Sequence, residues 1–121
     1  MVRVLVADNN LDSLELFDDL IDVHFKEADI QRALTKEAFF RKLDNSVKPF
    51  NLILFSASFE DGTTETVIDT LRVRYPELLD RLVIFTADKL PGESPLGVFP
   101  VLQRPFSLDI FGEVVANACV C

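Results

Sequence analysis

The chain is short of the residues that build metal sites, disulfide frameworks and histidine-based catalysis. In 121 residues it holds two cysteines, one histidine, one tyrosine, one methionine, four glycines and no tryptophan. Cys119 and Cys121 lie at the C-terminal end with one residue between them. That spacing gives no disulfide framework, and without a second pair or a nearby histidine it gives no zinc site. A reducing, cytoplasmic setting is the natural expectation. His24 closes a helix on its apolar side, where a lone imidazole packs or caps rather than catalyses. Cations are scarce too: 12 Lys and Arg stand against 20 Asp and Glu, a formal charge of −8. Nucleic-acid phosphates need clustered Lys and Arg, and anionic bilayers repel an acidic chain, so neither is an expected partner. The opening apolar run ends at Asp8, too short for a signal peptide core, and nothing is long enough to span a membrane. Repeats, linkers and low-complexity segments are missing as well.

What the chain has is apolar mass. Hydrophobic residues make up 49% of it and Phe occurs eleven times, enough for a single self-supporting domain. The organising stretch is Phe50 to Gly62. Leu52-Ile53-Leu54-Phe55 is an unbroken apolar run, which marks a strand covered on both faces in the middle of a parallel sheet. The strand stops at Ser56. In open parallel sheets, ligands and chemistry sit just past the carboxyl ends of the strands, so Ser56 occupies a position where a functional side chain is expected.

The remaining elements follow in order. Val2 to Ala7 reads as a first strand ended by Asp8-Asn9-Asn10. Leu11 to His24 reads as a helix with Leu14, Phe17, Leu20, Ile21 and His24 inward and Asp18, Asp19 and Asp22 outward, Asp12 and Glu15 having capping-box spacing. Ala28 to Leu34 reads as an edge strand, and Thr35 caps a short helix presenting Phe39, Phe40 and Leu43. A helix capped by Thr63 or Thr64 carries Val67, Ile68, Leu71 and Val73 and ends before Pro76. Arg81 to Thr86 is a fourth strand. Pro91, Gly92, Pro95 and Gly97 prevent a regular helix after it. Val98 to Gln103 reads as a fifth strand, placed at an edge by Pro100. Ser107 caps a last helix through Cys119, with Leu108, Phe111, Val114, Val115 and Ala118 inward. This alternation predicts an α/β doubly wound five-stranded parallel sheet, order 2-1-3-4-5, with the helix after strand four short or absent.

Taken together, Asp8 after strand one, Ser56 at the end of strand three, Thr86 after strand four and Arg104-Pro105 after strand five resemble the receiver domain of two-component response regulators, over the whole chain. The resemblance implies a flavodoxin-like fold and a phosphorelay signalling role. In that family, an acidic pair and a third-strand Asp hold Mg²⁺, that Asp accepts the phosphoryl group, and a Thr or Ser and a Lys complete the site. Carried over, Asp8 matches the first acid while Asn9 replaces the second. Ser56 stands at the acceptor, Thr86 is kept, and Arg104 occupies the lysine position before Pro105. Val101 falls where the family has a switching aromatic. The loop from Ser56 to Gly62 is shorter than the family's usual spacing.

These substitutions carry a chemical expectation. An acyl phosphate needs a carboxylate that is ionised at neutral pH, whereas a serine hydroxyl needs an adjacent base. Mg²⁺ seeks anionic oxygens. With Asp8 left beside neutral Asn9 and Ser56, Mg²⁺ binding is expected to be weak or absent, and no cofactor is expected. A guanidinium at 104 can engage Asp8 bidentately and close the pocket. The leading reading is a degenerate pseudo-receiver, not an enzyme, acting through contacts with a signalling protein or a fused output domain. Phe99 and Val101, with the loop Lys89 to Gly97, are its candidate partner surface. A second reading is an active phosphoreceiver using Asp8 or Asp61. A third is a flavodoxin-like enzyme or nucleotide binder holding a phosphate between Ser56 and Thr64 at a helix N-terminus. Against it, Asp8-Asn9-Asn10 lacks the Gly, Ser and Thr of a phosphate cradle, and Glu60 and Asp61 repel anions.

Overall fold

The computed structural model describes residues 2–8, 10–25, 27–57, 59, 64–86, 99–104 and 106–119, apart from the side chains of 11, 13, 64 and 65. Five strands run in parallel: β1 (Val2–Ala7), β2 (Ala28–Ala33), β3 (Leu52–Ser56), β4 (Leu82–Thr86) and β5 (Val101–Gln103). Their order is β2-β1-β3-β4-β5, as the alternation predicted. Among the described residues, four α-helices connect or follow them: α1 (Leu11–His24), α2 (Lys36–Asp44), α3 (Thr64–Arg74) and α4 (Leu108–Ala118).

The unbroken apolar runs of β1, β3 and β4 are explained by the two layers they serve. Leu5, Ala7, Ile53, Phe55, Leu82 and Ile84 point to one side and pack with Phe39, Phe40 and Leu43 of α2 and Val67, Ile68 and Leu71 of α3. Val4, Val6, Leu52, Leu54, Val83, Phe85 and Leu102 point to the other and pack with Leu14, Phe17 and Ile21 of α1 and Phe111, Val115 and Ala118 of α4. Every residue of β3 is buried, the expected result for a strand with a parallel neighbour on each side and a helix layer on each face.

Several boundaries and faces differ from the sequence reading. The cap of α1 is Asn10, not Asp12: Asn10 Oδ1 accepts from the Asp12 backbone N–H at 2.9 Å, and its carbonyl accepts from Leu14 N at 3.1 Å. Asp18 is half-buried and ion-paired with Arg32 rather than turned to solvent. Val73 is 83% exposed. Two residues beyond Leu71 an α-helix has turned through some 200°, onto the opposite face. Leu108 shares the face of Phe111 but lies in the first turn of α4 and stays 45% exposed. β5 starts at Val101; Phe99 and Pro100 are outside it, although the Pro100 carbonyl still accepts from Ile84 N at 2.9 Å. A 3-10 helix, Pro76–Arg81, precedes β4 and buries Leu78. The segment 87–98, where a regular helix was excluded, lies outside the described residues.

His24 is exposed rather than buried on the apolar side, yet it packs as expected of a helix-end imidazole. Its ring lies 5.4 Å from that of Phe111. A Cβ at Gly112 would come within 2.4 Å of His24 Cε1, so a glycine inside α4 is what lets the two helices close together. Cys119 is disulfide-bonded. Thr35 and Ser107 cap α2 and α4 as anticipated, accepting from Ala38 N and Ile110 N at 3.1 Å each.

Candidate functional site

The register fixes which side chains meet at the carboxyl end of the sheet. Ala7 pairs with Phe55, so Asp8 and Ser56 stand side by side one step further along neighbouring strands. Ser56 pairs with Phe85, which puts Thr86 one step beyond on β4. Thr86 pairs with Gln103, and Arg104 N donates to the Thr86 carbonyl at 2.9 Å. Asp8, Ser56, Thr86 and Arg104 therefore share one rim, as the sequence predicted. Asn9 and Pro105 lie outside the described residues.

Burial singles out two of these. Among the described residues, the buried polar or charged side chains are Asp8, 3% exposed, and Ser56, 4% exposed. A core otherwise built of hydrocarbon places both of them at one spot, although carboxylates are almost never buried without compensation. Asp8 is positioned by its own backbone. Its N–H donates to the Ala33 carbonyl at 3.1 Å, and Oδ1 accepts from Asn10 N at 3.2 Å. That second bond forms an Asx turn that leads straight into the Asn10 cap of α1. The Ser56 carbonyl accepts from Phe59 N at 3.1 Å, and Ala57 N donates to the Phe85 carbonyl at 2.9 Å, so the first residues past β3 are held against β4.

Phenylalanines support the rim from both sides. Phe55, next to Ser56, meets Phe39 and Phe59 edge-on, with ring centroids 5.4 and 5.2 Å apart. Phe85, next to Thr86, lies 4.4 Å from Phe17, which also meets Phe106 and Phe111. Such clusters add to simple area burial and hold their neighbours in fixed positions. Phe59, fully buried in the loop after β3, is a contributor that sequence reasoning missed. An isolated Phe in a polar loop is the one signal that could have found it. Thr86 and Arg104 are half-buried. Phe99 and Val101 are half-buried as well, packed against the core layer beneath α2 and α3, so part of each is committed to the interior.

Among the described residues, no group of three or more His, Cys, Asp or Glu side chains is placed to hold a metal ion, and no helix is long and apolar enough to cross a membrane. At the rim, the described side chains offer one carboxylate, two hydroxyls and a guanidinium. That set can make hydrogen bonds and an ion pair, and it lacks the several anionic oxygens that magnesium selects.

No protein-family model matches the sequence, and no curated protein matches it. Among solved structures the chain is similar to a response regulator receiver domain protein from Clostridium thermocellum, at 14% identity and a TM-score of 0.78, covering 98% of this chain and 94% of that one. It is similar to the chemotaxis response regulator CheY4 of Vibrio cholerae, at 13% identity and a TM-score of 0.78, covering 98% of each chain. A third is RcsB from Salmonella enterica serovar Typhimurium, solved bound to the promoter rprA in the presence of the phosphomimetic BeF3-. There identity is 13%, the TM-score is 0.79, and the match spans 98% of this chain and 61% of RcsB. Identities this low carry the architecture alone: the chain has the receiver, flavodoxin-like fold.

Proposed function

We propose that the chain is a receiver-like signalling module that works by contact with a protein partner or a fused output domain and is not phosphorylated on aspartate. The observation that supports this most is the pairing of buried Asp8 with buried Ser56 at the end of β1 and β3. A receiver of the usual kind has its nucleophilic carboxylate where Ser56 stands. A serine hydroxyl stays protonated at neutral pH and needs a base to attack phosphorus, and replacing an acid by Ser56 also removes a magnesium ligand. In this reading the guanidinium of Arg104 turns across the rim to Asp8 and supplies permanently the positive charge that a metal supplies elsewhere. The pocket is then a fixed structural feature, and output depends on which surface the chain presents. Phe99 and Val101, with the loop from Lys89 to Gly97, are the surface proposed for it.

The test is intact-mass spectrometry after incubation with acetyl phosphate and Mg²⁺, with an ordinary receiver run in parallel. The expected result is a gain of one phosphoryl group on the control and none on this chain. A gain on this chain that hydroxylamine removes would overturn the proposal and point to Asp8 or Asp61 as the acceptor.

A further inference from the structure

The opposite end of the sheet gathers cations in a chain that is acidic overall. A cavity of about 290 Å³ there is lined by Arg3, Gln31, Arg41, Lys42, Asn45 and Ser46. Two of its cations are held in place by a relay of side chains. Arg3 Nε donates to Asp29 Oδ2 at 3.2 Å, Gln31 Nε2 donates to Asp29 Oδ1 at 2.8 Å, and Lys42 Nζ donates to Gln31 Oε1 at 3.0 Å. Arg3 also donates to Ser46 Oγ and to the Lys48 carbonyl, and its guanidinium lies 4.6 Å from the centre of the Phe50 ring. Asp29 neutralises Arg3, but among the described residues no carboxylate is within ion-pairing distance of Arg41 or Lys42. The three cations of the cavity therefore outnumber Asp29, the carboxylate that acts on both Arg3 and Lys42.

A second cavity, of about 310 Å³, adjoins the first at Ser46 and is walled by Val47, Pro49, Phe50, Tyr75 and Leu78. Phe50 lines the second cavity, and Arg3, which lines the first, is stacked against its ring. An apolar pocket joined to a few convergent polar groups is the usual make-up of a small-molecule site. Planar guanidinium groups bind phosphate oxygens with paired hydrogen bonds.

We infer that these joined cavities, at the end of the sheet away from Asp8 and Ser56, form a binding site for a small organic phosphate. Arg41, Lys42 and Arg3 take its anionic group, and the accessible wall formed by Val47, Pro49 and Tyr75, backed by the buried Phe50, takes its apolar or aromatic body. Four features work against an anion there: the negative end of the α2 dipole, which Arg41 and Lys42 also offset, the Asp29 carboxylate paired with Arg3, the Asp44 carboxylate that accepts from the Tyr75 hydroxyl, and Glu77 on the wall of the apolar cavity. Glu77 restricts the phosphate to the Arg41 side. The site does not depend on the signalling role proposed above.

The test is a titration of the ¹⁵N-labelled chain with adenosine monophosphate, adenosine and inorganic phosphate, followed by amide shifts. The nucleotide should give saturable shifts at Lys42, Asn45, Ser46 and Tyr75, and adenosine should bind at least about tenfold more weakly, the effect of one lost charged hydrogen bond. The variant Arg41→Gln/Lys42→Gln should lose the nucleotide response while its circular dichroism stays that of the parent. Arg41→Gln alone gives a second reading if the double variant is unstable. Absence of saturable shifts, or equal nucleotide affinity in parent and variants, would overturn the site. Equal affinity for inorganic phosphate and the nucleotide would overturn the joining of the two cavities.

Discussion

The two ends of one sheet have been treated in opposite ways. At the carboxyl end, Asp8 and Ser56 are sunk into the hydrocarbon core and framed by phenylalanines. At the amino end, Arg3, Arg41 and Lys42 stand around open cavities, and Arg3 and Lys42 are linked through Asp29 and Gln31 by a partly exposed network. The same kinds of polar group therefore carry different weight. A charge added to or removed from the buried end changes the energy of the fold itself, because no water compensates it. A charge changed at the open end is screened and alters mainly what can bind.

This contrast can be broken in graded steps. The largest effect is expected from Phe55→Ala, which empties a fully buried ring site beside Ser56 and should cost about 3–5 kcal/mol in urea denaturation. Val47→Ala, at a residue 98% exposed, should stay within about 0.5 kcal/mol. Similar losses for the two would deny that the buried end carries more of the stability. Next comes Ser56→Asp, which places a second acid against Asp8. Burial and the neighbouring carboxylate raise the new acid's pKa above that of the unfolded chain, so the penalty is present at neutral pH, fades as pH falls through the raised value, and is nearly gone by the unfolded value of about 4. A loss of about 1–3 kcal/mol at pH 7 is expected, shrinking at pH 4. A variant equally stable at both values would contradict the burial argument.

Smaller again is the coupling between Asp8 and Arg104. A double-mutant cycle with Asp8→Asn and Arg104→Gln should return about 1–3 kcal/mol, and strict additivity would remove the proposed ion pair. The smallest effect belongs to the open end. The Gln31 amide, followed by Arg3 and Lys42, holds Asp29 below its ordinary pKa of 3.8, while partial burial pulls the other way. A depressed carboxylate contributes stability above its unfolded value, and that contribution is lost as pH falls through the folded value. Asp29→Asn should therefore cost a few tenths of a kcal/mol at pH 7, discounted for exposure. The gap between parent and variant should close as pH drops below 3.8. A gap that widens on acidification would reverse the assigned sign.

Most of the architecture could be read from the chain because it rests on strong periodic signals. The runs Val4-Leu5-Val6-Ala7 and Leu52-Ile53-Leu54-Phe55 had no other use than in buried parallel strands, and their ends placed Asp8 and Ser56 correctly. The misreadings fall where several residues compete for one role. Asp8, Asn10 and Asp12 all have side chains able to cap α1, and only the path of the backbone decides for Asn10. Val73 is apolar but out of phase with Leu71. The Pro76–Arg81 turn is too short for periodicity to reveal, and it is stabilised by burial of Leu78, a tertiary effect. The cavities at the amino end could not be foreseen, since Arg3, Gln31, Arg41 and Lys42 are brought together only by the β1–β2 register and the end of α2.

The central claim is that the carboxyl rim holds a fixed shape in place of a phosphorylation cycle. It is tested most directly by recording the amide resonances of Ser56, Ala57, Thr86 and Arg104 while Mg²⁺ and then beryllofluoride are added. The account predicts no saturable movement at these four positions. Coordinated shifts that appear with Mg²⁺ and grow on adding beryllofluoride would show a working phosphoryl pocket and contradict it.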